Sequence, residues 1–170
     1  MKRTGILLAI VVFGGLMLLI YGFMGGFKEV EISLENCTTI RLMGVDYHGT
    51  PQDKALGAAF RKVEAAGSED NPLHTVYFVE PAGKRDTLHV FVGVEANGAL
   101  NDKSEWDTIS FSCNQAVLAT IEAHRLVMPG PENVKEKMAV FARENGVELQ
   151  GIYIDKIIAS DKVEIWAPVK

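Results

Sequence analysis

Twenty-four consecutive residues, Thr4 to Phe27, carry no charge. A helix of that length rises roughly 36 Å, enough to cross a hydrocarbon core of ~30 Å. A secretory leader has a shorter apolar stretch, about 7–15 residues, followed by a small-x-small cleavage site. Here the run ends Leu18-Leu19-Ile20-Tyr21-Gly22-Phe23-Met24-Gly25-Gly26-Phe27, with bulky residues where a peptidase wants small ones. Tyr21, Phe23 and Phe27 instead suit an interfacial aromatic belt. No cysteine stands near the end of the run to accept a lipid. A buried core helix seldom stays uncharged on every face for this long. Residues 1–27 therefore read as an uncleaved signal anchor that meets the membrane through residues 4–27, with a cleaved leader as the alternative. Lys2 and Arg3 precede the span, and Lys28 follows it beside Glu29 and Glu31. The positive-inside rule then expects a single-pass protein of the cell membrane, N-terminus cytoplasmic and main domain outside.

Residues 28–170 fit one domain, large enough for a substantial core. Setting aside Lys2 and Arg3 leaves 15 of the 17 basic residues against 22 acidic ones, a net charge of −7. Such a domain is a poor binder of polyphosphates, and no basic stripe marks a nucleic-acid partner. The two cysteines, Cys37 and Cys113, would pair in an oxidising compartment or stand apart as small buried residues; the sequence leaves both open. There is no CxxC, P-loop, Gly-rich dinucleotide fingerprint or serine elbow. His48, His74 and His89 show no metal-ligand spacing, so no metal and no cofactor is expected.

The domain reads as one pattern written twice. In the first copy Glu29–Glu35 alternates, with Val30, Ile32 and Leu34 on one face, and a second strand follows at Thr38–Tyr47. Gly49-Thr50-Pro51 then opens a helix, with Thr50 as the expected cap, an apolar stripe of Leu56, Ala59, Phe60 and Val63, and Gly67 as the stop. Strands are expected at Leu73–Glu80 and Thr87–Glu95, joined by a turn from Pro81 to Asp86. The polar stretch Ala96–Trp106 reads as a seam. The second copy has strands at Thr108–Ser112 and Gln115–Leu126. Gly130-Pro131 starts its helix, whose stripe is Val134, Met138, Phe141 and Ala142 and whose end is Gly146; strands follow at Glu148–Asp155 and Lys162–Ala167. The order β-β-α-β-β, twice, predicts an α+β fold: a pseudo-twofold duplication, repeat one at 28–95 and repeat two at 108–170, an antiparallel sheet with two helices on one face, preceded by one transmembrane helix. A groove between the halves is where such a fold takes a ligand.

These stretches resemble GyrI-like domains. "VDYHGTPQDKALGAAFRKVEAAG" looks like their strand, Gly-Pro turn and helix, and "EAHRLVMPGPENVKEKMAVFARENG" like the second copy of it. "VYFVEPAGKRDTLHVFVGVE" is similar to their middle hairpin and "GIYIDKIIASDKVEIWAPVK" to their last one. Together the matches cover nearly all of 29–170. Where such domains often carry an aromatic after each Gly-Pro turn, this chain has Gln52 and Glu132. The resemblance implies a duplicated strand-helix-strand-strand fold and a binding module for small cationic or aromatic molecules, held between the repeats. It also leaves room for a protein-partner module of the cell envelope, and for hydrolysis, since relatives of each kind exist.

A cation-binding groove needs an acid at low dielectric and aromatic walls, each ring attracting a desolvated cation by up to ~2 kcal/mol. Glu164 and Trp166 share one face of the last strand, and Glu122 and His124 share one face of Gln115–Leu126. Tyr47, Tyr77, Phe91 and Tyr153 are the rings placed to line the same space. Glu122 with His124 has the residue types of a general acid/base pair, but no nucleophile stands at a diagnostic spacing and no catalytic residue is assigned. The expectation is thus a membrane-anchored binder of a small amphipathic or cationic molecule.

Overall fold

The computed structural model describes residues 2–68, 70–81, 83, 85–96 and 106–170. The first element is α1 (Lys2–Phe23). Its segment Ile6–Phe23 has mean hydropathy 2.6 and none of it is buried against the rest of the chain. The domain that follows is built from β1 (Glu31–Asn36), β2 (Ile40–Gly49), α2 (Lys54–Glu64), β3 (Leu73–Val79), β4 (Leu88–Glu95), β5 (Asp107–Phe111), β6 (Gln115–Glu122), α3 (Pro131–Glu144), β7 (Ile154–Ala159) and β8 (Lys162–Pro168). The expected order β-β-α-β-β, twice, is the observed one. Of the seam expected at Ala96–Trp106, all but its two end residues lies outside the described residues, as do Ala82 and Lys84 of the turn from Pro81 to Asp86.

All eight strands join one sheet, in the order β1-β6-β8-β7-β3-β4-β2-β5, with every pairing antiparallel. The order is a palindrome of the two copies, with β3 and β7 meeting at its centre. Its unexpected feature is an exchange: β1 completes the edge of the second copy beside β6, and β5 completes the edge of the first beside β2.

That exchange imposes a geometric demand. β1 and β2 are six strand positions apart, about 29 Å across a flat sheet. Only Cys37, Thr38 and Thr39 link them, a reach of about 14 Å. Ser112, Cys113 and Asn114 link β5 to β6 across the same six positions under the same limit. The sheet must curl so that a short chord spans a long arc, and the chord must run over the concave side. Gly44 and Gly93 sit opposite each other in the β2–β4 ladder and accommodate the bend. A Cβ at Gly44 would lie 2.0 Å from the Val92 carbonyl oxygen, and one at Gly93 2.7 Å from the Phe91 ring. Where the links pass each other, Cys37 and Cys113 form a disulfide, and the Cys37 N–H donates to the Asn114 carbonyl at 3.0 Å.

Both domain helices ride on the opposite, convex face. α2, through Val63, covers Tyr47, Leu88, Val90, Val92 and Val94; α3 covers Val117, Ala119, Ile121, Ile165 and Ala167 through Val134, Met138 and Ala142. The concave face, which the links cross, buries Leu42, Val76, Phe91, Phe111 and Ile154. Two local expectations are corrected. The cap of α2 is Asp53, not Thr50: the Asp53 carboxylate accepts the Ala55 N–H at 2.9 Å, while the Thr50 carbonyl accepts the Asp53 N–H and the Tyr47 hydroxyl. The penultimate strand is Ile154–Ala159 rather than Glu148–Asp155. Gly146 and Gly151 take positive φ (67° and 82°), which interrupts extended backbone before Ile154, and Leu149 makes only an isolated bridge to Val169.

Because the disulfide closes a 76-residue separation between two stretched links, the chain-entropy argument gives it up to ~4 kcal/mol. Urea unfolding of the detergent-solubilised chain should show a loss of that order in the Cys37→Ala/Cys113→Ala variant. A variant as stable as the parent would show that the links hold their course without the bridge.

Candidate functional site

Two hollows flank the centre of the sheet, one on each face. The concave one, about 340 Å³, lies under the links and is lined by Asn36, Cys37, Thr38, Ile40, His74, Glu95, Ile154, Lys156 and Trp166. His74 is buried there. Its Nδ1–H donates to the Pro72 carbonyl at 2.9 Å, its Nε2 faces Glu95 at 3.6 Å, and burial pushes its pKa down.

The convex one is a cleft of about 480 Å³ where the two helices part. Its floor is Thr75 and Tyr77 of β3, Asp155 and Ile157 of β7, and Val163 and Ile165 of β8. Its walls are Phe60 of α2, Val134 and Lys135 of α3, and the run Met128-Pro129 before α3. The parity of the strands decides this lining. In β3 the even residues His74 and Val76 look to the concave side, so Thr75 and Tyr77 look into the cleft.

Asp155 is the chemically distinctive group. It stands opposite Thr75 where β3 and β7 pair, at the centre of the palindrome. Burial on an apolar floor raises its pKa from 3.8 to about 6, partly offset by the Lys135 charge and a hydrogen bond from the Thr75 hydroxyl. Lys135 itself leans into the cleft. Its ammonium pairs with Glu80 at the rim and lies 5.1 Å from the centre of the Tyr153 ring. Burial draws its pKa down, while Asp155 draws it up. Tyr153 is raised, first by burial and then by the Glu132 charge. Near neutral pH the cleft holds two carboxylates, Asp155 and Glu80, and one cation of its own.

Of the rings expected to line a groove, Tyr77 and Tyr153 meet in the cleft. Tyr47 is buried under α2, and Phe91 is buried on the concave side. Glu164 and Trp166 also face the concave side: the Trp166 Nε1–H donates to the Glu164 carboxylate at 3.2 Å, and Trp166 lines the smaller hollow. The pairing of Glu122 with His124 along one strand face is corrected. β6 ends at Glu122, and the chain turns at His124, whose carbonyl accepts the N–H groups of Val127 and Met128. Glu122 is held by Lys162 at 2.8 Å and Lys28 at 3.3 Å, and these two cations lower its pKa. The His124 N–H donates to the Met24 carbonyl at 2.8 Å. Both residues therefore belong to the junction with the apolar helix. There Gly25 takes φ 83°, and a Cβ on it would come within 3.0 Å of the Glu122 carbonyl oxygen.

Asp155 is not among the expected site residues, because the expected strand Glu148–Asp155 ends on it. The available signal was one acid within the otherwise apolar Ile152-Tyr153-Ile154-Asp155 run.

The raised pKa has a consequence for stability. Folded chains hold the Asp155 proton up to about pH 6, unfolded chains only to about 3.8. Protonation therefore favours folding across that window. This contribution is full below pH ~4 and is lost as pH rises through ~6, by up to about 3 kcal/mol. The stability difference between the parent and Asp155→Asn, measured by urea unfolding from pH 4 to 8, should shift by that order, the variant gaining relative to the parent as pH rises. A pH-independent difference would place the carboxyl in water.

No protein-family model matches the chain, and no curated protein matches it. Solved structures do share its architecture. A hydrolase from Listeria innocua has TM-score 0.56 and 12% identity over 82% of this chain and 92% of that one. The C-terminal domain of EcmrR has TM-score 0.55 and 12% identity over 83% of this chain and 98% of that one. SAV2435 bound to tetraphenylphosphonium has TM-score 0.50 and 15% identity over 82% of this chain and 94% of that one. At these identities the likeness is one of fold: an α+β domain with an eight-stranded antiparallel sheet, to which this chain adds an apolar N-terminal helix.

Proposed function

We propose that this chain is a membrane-anchored, GyrI-like receptor whose convex cleft takes a small amphipathic organic cation outside the cell membrane. Asp155 carries the reading: a carboxyl on an apolar floor, beside Tyr77 and Tyr153, at the meeting point of the two copies. A carboxylate there, only partly offset by Lys135 and Thr75, is costly, and a delocalised cation relieves the cost with little desolvation of its own. The rings add cation–π attraction. Lys135 over Tyr153 is a tethered stand-in for such a ligand, and its rim contact with Glu80 gives it somewhere to withdraw. The tetraphenylphosphonium in the SAV2435 structure is a ligand of this chemical type.

The anchor and the cleft are neighbours. Residues 124–130 begin at the His124–Met24 hydrogen bond, next to the end of the apolar helix, and run on to Met128 and Pro129 in the cleft wall. Leu126, on the same loop, is 77% exposed. Pro129 and Ile121 line both the cleft and a smaller hollow against Tyr21, Gly25 and Gly26. A lipophilic cation concentrated at the bilayer surface would have a short path into the site. α1 exposes its apolar side chains all round, which a bilayer satisfies. The disulfide favours an oxidising compartment for the domain, in line with the orientation given by Lys2 and Arg3.

Calorimetric titration of the full chain in nanodiscs with tetraphenylphosphonium tests this. Binding should weaken at least tenfold in Asp155→Asn. It should weaken about tenfold from pH 7.5 to pH 5, as a carboxyl with pKa near 6 loses its charge, and strengthen in Lys135→Ala. Equal affinity in the parent and Asp155→Asn would remove the cleft as the site.

A further inference from the structure

The concave face carries a second constellation, remote in sequence and unrelated to the cleft. Asp46 and His48 stand two apart in β2 and so project to the same side. The β2–β4 register sets His89 directly across from His48. The three side chains converge. His89 Nε2 lies 2.8 Å from Asp46 Oδ1, and His48 Nε2 lies 3.4 Å from Asp46 Oδ2. The two imidazole rings stack with centroids 3.6 Å apart and planes 24° from parallel. One donor atom from each residue falls within 4.8 Å of the other two. β4 is paired on both sides at this level, His89 standing between His48 of β2 and Val79 of β3, so the backbone beneath His89 is held on both sides.

We propose that Asp46, His48 and His89 form a binding site for a divalent transition metal, with zinc as the natural occupant. The donor set selects the metal: two imidazoles and one carboxylate suit zinc, nickel or copper and disfavour calcium and magnesium, which want oxygen. The spacing fits as well. With bonds of ~2.0–2.1 Å, neighbouring ligands in a tetrahedral zinc site are about 3.3 Å apart. The carboxylate already lies 2.8 Å and 3.4 Å from the two nitrogens, so small side-chain rotations centre an ion among them. The local charge favours a cation. The Asp46 N–H donates to the Asp107 carboxylate at 3.4 Å, which brings a second acid onto this face beside the ligands. The Phe78 ring packs at 4.6 Å from the His89 ring and restricts one flank. The His48 side chain is 63% exposed, which leaves the fourth position to water or to a donor from outside the chain. Three protein ligands and one open position make an exchangeable site rather than a closed structural one.

Sequence spacing hides this cluster, since His48 and His89 are 41 residues apart and only the strand register brings them together. Bound metal would tie β2 to β4 near their shared end at Gly49 and Leu88, some distance along the sheet from Asp155, so the site stands or falls independently of cation binding in the cleft.

The test uses untagged full-length chain in detergent, stripped of metal by chelator and then titrated with Co²⁺ and Zn²⁺. Co²⁺ should bind one per chain, with the visible absorption of a four- or five-coordinate ion, and Zn²⁺ should displace it. His48→Ala and His89→Ala should each weaken Zn²⁺ binding at least thirtyfold by calorimetry. His124→Ala should leave it unchanged, and unaltered melting without metal would show that the variants are folded. Absence of stoichiometric Co²⁺ binding, or binding that survives in the His48→Ala/His89→Ala double variant, would overturn the proposal.

Discussion

Two three-residue links dictate the shape of this domain. Each must join strands six positions apart, and neither has the length to do so over a flat sheet. Curl is therefore obligatory. The links take the concave side, the face that buries Leu42, Val76, Phe91 and Ile154, and are bonded to each other through Cys37 and Cys113. The helices are left with the convex side. On a convex surface two helices, each seated over the core of its own copy, diverge above the central strands, and the cleft is the space they leave.

The same arrangement explains why the cleft has unusual chemistry. Its floor is the β3–β7 seam, where the two copies meet and where neither helix provides cover. Thr75 faces Asp155 across that seam, so the acid has one hydrogen-bond donor and an apolar surround of Ile157, Val163 and Ile165. A carboxyl in that setting is poised between protonated and charged forms near pH 6. Lys135 tempers the charge without consuming it, because its closest acid is Glu80 at the rim. On the other face, the same strand pairing that curls the sheet assembles Asp46, His48 and His89.

Local pattern was enough for most of the secondary structure. Alternation in Glu31–Asn36 and the helical stripes of Leu56, Ala59, Phe60, Val63 and of Val134, Met138, Phe141, Ala142 each mark a face that ends up against the core. Boundaries failed where backbone conformation rather than side-chain pattern decides: Gly151 postpones β7, and the turn at His124 shortens β6. The exchange of β1 and β5 between copies is invisible locally, since it depends on which edge accepts each strand. The candidate site was legible only in its two rings, for the same reason. Tyr77 and Tyr153 sit in the cleft as their positions suggest, but choosing between the two faces of β8 required knowing that Val163 and Ile165 look toward the helices, which turns Glu164 and Trp166 to the concave side.

Carbon-detected NMR of the Asp155 side-chain carboxyl, titrated against pH with and without saturating tetraphenylphosphonium, tests the placement of ligand against acid most directly. Affinity and protonation are linked reciprocally, so a cation seated on the carboxylate must lower its pKa below the free value of about 6. A downward shift is the expected result. A titration curve that does not move while the cation is bound would contradict the assignment.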